Sequence, residues 1–79
     1  MRYKVFVHLY DPSRPPATWR GIGRYEGGKC IVMNLPDLPL DVRSAVLTGF
    51  EHDGGRGGGT QLQQGRYVTY GARLIKEAA

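Results

Sequence analysis

Cysteine occurs once in this 79-residue chain, at Cys30, histidine twice, at His8 and His52, and tryptophan once, at Trp19. A lone cysteine excludes an internal disulfide and any cysteine-based zinc cluster, and it suits a reducing, cytoplasmic setting. Long apolar runs are missing as well. The longest, Cys30 to Met33, falls far short of the roughly 18 residues that cross a bilayer. The opening Met1-Arg2-Tyr3-Lys4 leads straight into an alternating strand pattern, with no apolar leader. A soluble protein without a signal peptide or a membrane partner is expected. Disorder is excluded by composition, since 41% hydrophobic residues against 23% charged is too apolar and too evenly charged.

The supply of catalytic groups is equally poor. His8 and His52 are isolated, and each reads more readily as a surface or strand residue than as a general base. Glu51, His52 and Asp53 are adjacent, so on a strand they point to alternate faces and cannot converge on one metal ion. Cys30 sits inside a strand pattern, where a small buried hydrophobe is a better reading than a thiolate nucleophile. The glycine run Gly54-Gly55-Arg56-Gly57-Gly58-Gly59 lacks the Gly-Lys-Ser/Thr ending of a nucleotide loop, and Gly21-Ile22-Gly23 lacks the third glycine of a dinucleotide fingerprint. No enzyme, cofactor or metal is expected.

What is present is strand patterning on a chain short enough to be one domain, residues 1–79, burying only ~60 to 65% of its unfolded surface. Tyr3, Val5, Val7 and Leu9 alternate with Arg2, Lys4, Phe6, His8 and Tyr10, which predicts a strand with one apolar face. Three prolines in Asp11-Pro12-Ser13-Arg14-Pro15-Pro16 end it. A hairpin then spans Trp19 to Leu35, turning at Gly27-Gly28, with Glu26 facing Lys29, Tyr25 facing Cys30, Arg24 facing Ile31 and Ile22 facing Met33. This register gives a core face of Ile22, Ile31, Met33 and Leu35. The opposite face holds Trp19, Tyr25, Cys30 and Val32 beside Gly21 and Gly23, where an aromatic or another backbone can come close.

Residues 40–50 carry two patterns. A helix, capped by Asp37 or Asp41, places Leu38, Val42, Ala45, Val46 and Gly49 near one spacing. A strand alternates Ser44, Val46, Thr48 and Phe50 with Ala45, Leu47 and Gly49, and it is preferred because glycine, valine and threonine weaken a short helix. The glycine run reads as a mobile hairpin loop. Val68, Tyr70, Ala72 and Leu74 form the apolar face of a last strand, with Tyr67, Thr69, Gly71 and Arg73 opposite, and residues 76–79 read as a frayed tail. The expected fold is a mainly β, antiparallel sheet or barrel-like domain of about five strands, near 2–10, 18–26, 29–35, 43–51 and 61–75. The alternative is α+β with residues 40–50 as one short helix.

The net charge of +4 is unevenly distributed. Residues 1–30 and 56–79 are basic, whereas 31–55 hold Asp37, Asp41, Glu51 and Asp53 against Arg43 alone. If the first strand, the hairpin and the last strand are sheet neighbours, their cations add up and attract an acidic partner; ordinary solubilising charge is the plainer account. Trp19, Arg20, Arg24, Tyr25, Arg66, Tyr67 and Arg73 are the candidate partner-binding residues, with Tyr70 beside them. These residue types stack on bases and grip phosphates in single-strand-binding modules. They are equally the types that anchor protein interfaces.

The segment Trp19-Arg20-Gly21-Ile22-Gly23, the alternating strand to Leu35 and the following Leu38-Pro39-Leu40-Asp41 resemble a hairpin unit of small bacterial and prophage proteins. In size, composition and lack of motifs the whole chain resembles the phage-encoded anti-CRISPR proteins, in particular inhibitors of type I-C systems. That resemblance implies a non-enzymatic inhibitor in the host bacterial cytoplasm, docking on a subunit of the CRISPR-Cas effector complex (Cascade) and blocking target DNA engagement. A basic face is unlike the acidic DNA mimics of that group. The alternative is a small basic nucleic-acid-binding β module, OB-like or SH3-like.

Overall fold

A computed structural model describes residues 2–27, 29–52 and 57–75. It contains β1 (Arg2–Tyr10), β2 (Ala17–Glu26), β3 (Lys29–Asn34), α1 (Leu40–His52), β4 (Gly58–Gln61) and β5 (Tyr67–Leu74), with a 3-10 turn at Gln63–Gly65. The strands form one sheet in the order β3-β2-β1-β5-β4, every neighbouring pair antiparallel. α1 packs on one face and touches both edge strands, β3 and β4, as well as β5. A sheet whose two edges reach the same helix is curled around it, and the mainly antiparallel, five-stranded expectation is met in this half-barrel form.

β1 is the central strand, and its alternation is as predicted: Val5, Val7 and Leu9 are buried toward α1 while Lys4, His8 and Tyr10 are exposed. The break after Tyr10 is also as predicted. Asp11 accepts hydrogen bonds from the Ser13 amide (3.0 Å) and hydroxyl (2.7 Å), and its carbonyl accepts one from the Arg14 amide, closing a local turn. These Ser13 donors hold the Asp11 carboxyl below its usual range.

The segment expected as a strand at 43–51 is helical, so the α+β element order wins there. Its buried residues are Val42, Val46 and Phe50, spaced by four, and Phe50 sits edge-on between the rings of Tyr25 (5.9 Å) and Tyr70 (5.0 Å). Burial of that stripe outweighs weak intrinsic propensity, as tertiary packing commonly does for short helices. Gly49 has a packing reason: a Cβ there would lie 1.8 Å from the Tyr70 hydroxyl. Neither expected aspartate stands at the cap position, which falls at Pro39. The Pro39 carbonyl accepts the first helical bond from the Arg43 amide (2.9 Å), Asp41 lies within the first turn, and Asp37 takes the left-handed position of the preceding turn with φ 63°. Pro36 before it matches the preference of a type II turn for proline ahead of its left-handed residue.

The fifth strand, β4, lies almost wholly before the predicted 61–75 element and shares only Gln61 with it. β4 supplies residues 58–61, and two successive left-handed residues, Gln64 (φ 63°) and Gly65 (φ 73°), turn the chain into β5. Gly58 and Gly59, expected in a mobile loop, are therefore strand residues paired with Tyr70 and Thr69. Gly54, Gly55 and Arg56 lie outside the described residues, as do Asp53 and the expected tail at 76–79.

The hairpin turns where predicted, with Glu26 opposite Lys29 and Tyr25 opposite Cys30; Gly27 has φ 59°, and Gly28 lies outside the described residues. Beyond Tyr25 the register shifts by a bulge: Arg24 faces Val32, Gly23 faces Met33 and Ile22 faces Asn34. One extra residue on β3 exchanges the faces expected for β2 and turns Ile31 outward, while Met33 and Leu35 keep the core side expected of them. Trp19, Gly21, Gly23 and Tyr25 turn toward α1 with Met33 and Leu35, whereas Ile22, Ile31 and Val32 are exposed. The predicted close approach at the glycines is present on that face. A Cβ on Gly21 would strike the Asn34 carbonyl oxygen, and one on Gly23 would lie 2.8 Å from Val5 Cγ2.

Candidate functional site: the open face of the sheet

The face turned away from α1 is built by the even-numbered residues of β1 and β2 and the odd-numbered residues of β5. Five cross-strand rungs follow from the pairing: Arg24 with Arg2; Ile22, Lys4 and Arg73; Arg20, Phe6 and Gly71; Thr18, His8 and Thr69; and Tyr10 with Tyr67. Five cations thus share one surface with Phe6, His8 and two tyrosines. Glu26, at the end of β2, pairs with Arg24 at 2.7 Å. The acidic residues Asp41 and Glu51 are on α1, on the far side of the sheet.

A depression of about 240 Å³ lies at the middle of this face, lined by Lys4, Phe6, His8, Arg20 and Arg73. Its floor exists because residue 71 has no side chain. A Cβ on Gly71 would fall 2.4 Å from Phe6 Cζ and 2.7 Å from Cε2, so the ring tip lies directly over the β5 backbone. The His8 ring is 5.7 Å from that of Phe6, centre to centre, and its Nδ1 is 2.9 Å from Thr18 Oγ1. Cations around a half-buried aromatic floor can attract an anion and stack a planar group.

The seven candidate residues read from the sequence do not form one site. Arg20, Arg24, Tyr67 and Arg73 are brought together on the open face. Trp19 and Tyr25 are not: strand alternation puts them on the helix side, where Tyr25 is 7% exposed and Trp19 packs against the core. Tyr25 meets Tyr3 edge-to-face at 4.4 Å, and burial pushes its phenol pKa up. Tyr70 is a core residue. Arg66 is spent on structure, donating to Asp41 Oδ2 (2.7 Å) and to the Gln63 carbonyl (3.2 Å), so that it ties the start of α1 to the turn before β5. Phe6, His8, Lys4, Arg2 and Tyr10 were missed as a site, although their alternation against Val5, Val7 and Leu9 already placed them on one exposed face.

The other chemistry-bearing groups fall elsewhere. The half-buried Cys30 thiol donates to the Val32 carbonyl at 3.6 Å, and burial is the main influence pushing its pKa up, which keeps it in the thiol form. Among the described residues no three His, Cys, Asp or Glu side chains are placed to hold a metal ion, and no helix is long and apolar enough to cross a membrane. Comparisons with protein-family models, curated proteins and solved structures gave no match, so no relative assigns a role to any of these residues.

Proposed function

We propose that the open face binds single-stranded nucleic acid. The observation that carries this reading is the grouping of Lys4, Arg20 and Arg73 around Phe6 and His8 in one depression with no acidic lining residue. Polyanion attraction uses the cations, and base stacking uses the aromatic floor, which tolerates any base because every base has a π-face. A curved duplex surface offers phosphates but no unstacked base, so single strands are preferred over duplex.

Fluorescence anisotropy with labelled single-stranded and duplex oligonucleotides of about 12 nucleotides, titrated across salt concentrations, tests it. Tighter binding to single strands, with log affinity falling linearly against log salt, is the expected result. Phe6→Ala is expected to cost about 1–3 kcal/mol of binding, the range for one base–aromatic stack. Salt-insensitive binding, or none, overturns the reading.

A protein partner is the second reading, favoured by Ile22 (42% exposed), Ile31 (51%) and Val32 (52%) beside the cationic rungs. Exposed β-branched residues next to arginines suit a protein interface more than a phosphate chain. In this reading the same face docks on a subunit of a type I-C Cascade and blocks target DNA engagement. Pull-down with purified effector subunits tests it, and stable complexes with none of them remove it.

A further inference from the structure

We infer that the open face is divided along the strands into a phosphate-holding end and a base-reading end, so that a bound single strand crosses β2, β1 and β5 instead of running along them. The inference rests on the nucleic-acid reading above and adds to it the direction of the ligand and the residues that discriminate bases.

The division is in the rungs. All five cations lie at or to one side of the Phe6 rung: Arg20 on it, Lys4 and Arg73 one rung away, Arg2 and Arg24 two rungs away. On the other side the rungs hold Thr18, His8 and Thr69, then Tyr10 and Tyr67, flanked by Gly59 and Gln61 of β4, none of them an arginine, lysine or acid. Rungs on one face are about 6.7 Å apart along the strand, so the uncharged half extends about 13 Å beyond Phe6.

A strand running parallel to β1 would leave the cations after its first phosphates and lay a charged backbone over the tyrosines. Crossing the sheet keeps every phosphate at the cationic end. A base stacked on Phe6 then points its hydrogen-bonding edge toward the next rung. There the Thr18 and Thr69 hydroxyls can each donate and accept, and the His8 ring is oriented by its contact with Thr18. Tyr10 and Tyr67, directly paired and 55% and 42% exposed, offer the next stacking surface. Discrimination among bases is therefore assigned to Thr18, His8 and Thr69, and affinity without discrimination to Lys4, Arg20 and Arg73.

The test uses the whole chain and labelled homopolymers of uridine, adenosine and cytidine, each about 12 nucleotides long, across salt. Lys4→Gln and Arg73→Gln are expected to weaken all three by one common factor and to flatten the salt slope by about 0.7 each. Thr69→Val and Thr18→Val are expected to change the ratio of affinities among the homopolymers by about threefold or more, a fraction of one hydrogen bond, with the slope unchanged. Circular dichroism confirms that each variant folds, and the paired variants at each end guard against one that does not. If the threonine variants weaken all three homopolymers equally, or the charge variants alter the ratio, the division is wrong although the face binds. If the unmodified chain binds none of them, the nucleic-acid reading itself fails.

Discussion

Phe6 reaches from β1 to cover Gly71 of β5, and the fit leaves no room for a methyl group, since a Cβ at residue 71 would lie 2.4 Å from the ring's Cζ. The atoms in the way belong to the tip of a side chain on an open face, so the ring can swing aside. Gly71→Ala should therefore leave stability within about 1 kcal/mol, the clash being offset by the lower entropy of the unfolded chain. It should nevertheless remove the aromatic floor. Oligonucleotide affinity is expected to fall about as far as in Phe6→Ala, and the Phe6 ring proton shifts should move. Unchanged ring shifts would refute the contact.

Gly49 presents the opposite case. A Cβ there would lie 1.8 Å from the Tyr70 hydroxyl and 2.3 Å from Cζ, and Tyr70 is held in the core against Phe50. Helix propensity alone predicts a gain of about 1 kcal/mol for Gly49→Ala. Overpacking a fixed ring predicts a loss of about 1–3 kcal/mol, and the loss is expected to win in urea unfolding. A more stable variant would show that α1 does not press on β5 as described.

The Asp41–Arg66 pair gives a pH dependence of known sign. The hydrogen bond from Arg66 holds the Asp41 carboxyl below the usual aspartate range, against the opposing effect of desolvation. A carboxyl depressed in the folded state contributes stability that is present above its unfolded pKa and is lost as pH falls through the folded one. Because Asp41 is about half exposed, solvent screening limits the contribution to about 0.5 kcal/mol. Thermal melts from pH 6 down to pH 2 should show Asp41→Asn and the unmodified chain converging as pH falls below the usual aspartate range. A constant gap across that range would exclude the ion pair as its cause.

Local patterns in the sequence were enough for β1, for the break at Asp11 and for the turn between Glu26 and Lys29, because alternation, proline and glycine act over a few residues. The bulge beside Ile31 left no such mark. One added residue on β3 exchanges the faces of β2 while Met33 and Leu35 stay inside, so Ile22 and Ile31, apolar and regularly spaced, ended outside while Tyr25 ended inside. The helix at Leu40–His52 was legible only as an alternative, since its stripe of Val42, Val46 and Phe50 is narrow and its other residues favour extended chain. The site suffered from the same parity error. Arg20 and Arg24 were recognised, but Trp19 and Tyr25 were grouped with them by proximity in sequence, when neighbours one residue apart on a strand face opposite ways. Arg66 was chosen by residue type, and only the tertiary position of Asp41 shows that its guanidinium is already engaged.

Trp19 separates these two pictures in a single measurement. As the only tryptophan, it alone reports in emission excited on the indole band, and it pairs with Val7 on the helix side of the sheet while Arg20 beside it faces outward. Were Trp19 an anchor, saturating the protein with an oligonucleotide would stack a base on the indole and quench its emission strongly. On the described geometry the ligand sits on the far side of the β1–β2 ladder, one sheet thickness away, and emission should change little at saturation. Trp19→Ala should then act through packing, costing up to about 3 kcal/mol of stability for a partly buried indole, while the salt slope of binding stays as it was. Strong quenching, with a flattened slope in the variant, would put Trp19 back in the interface and displace Phe6 as its centre.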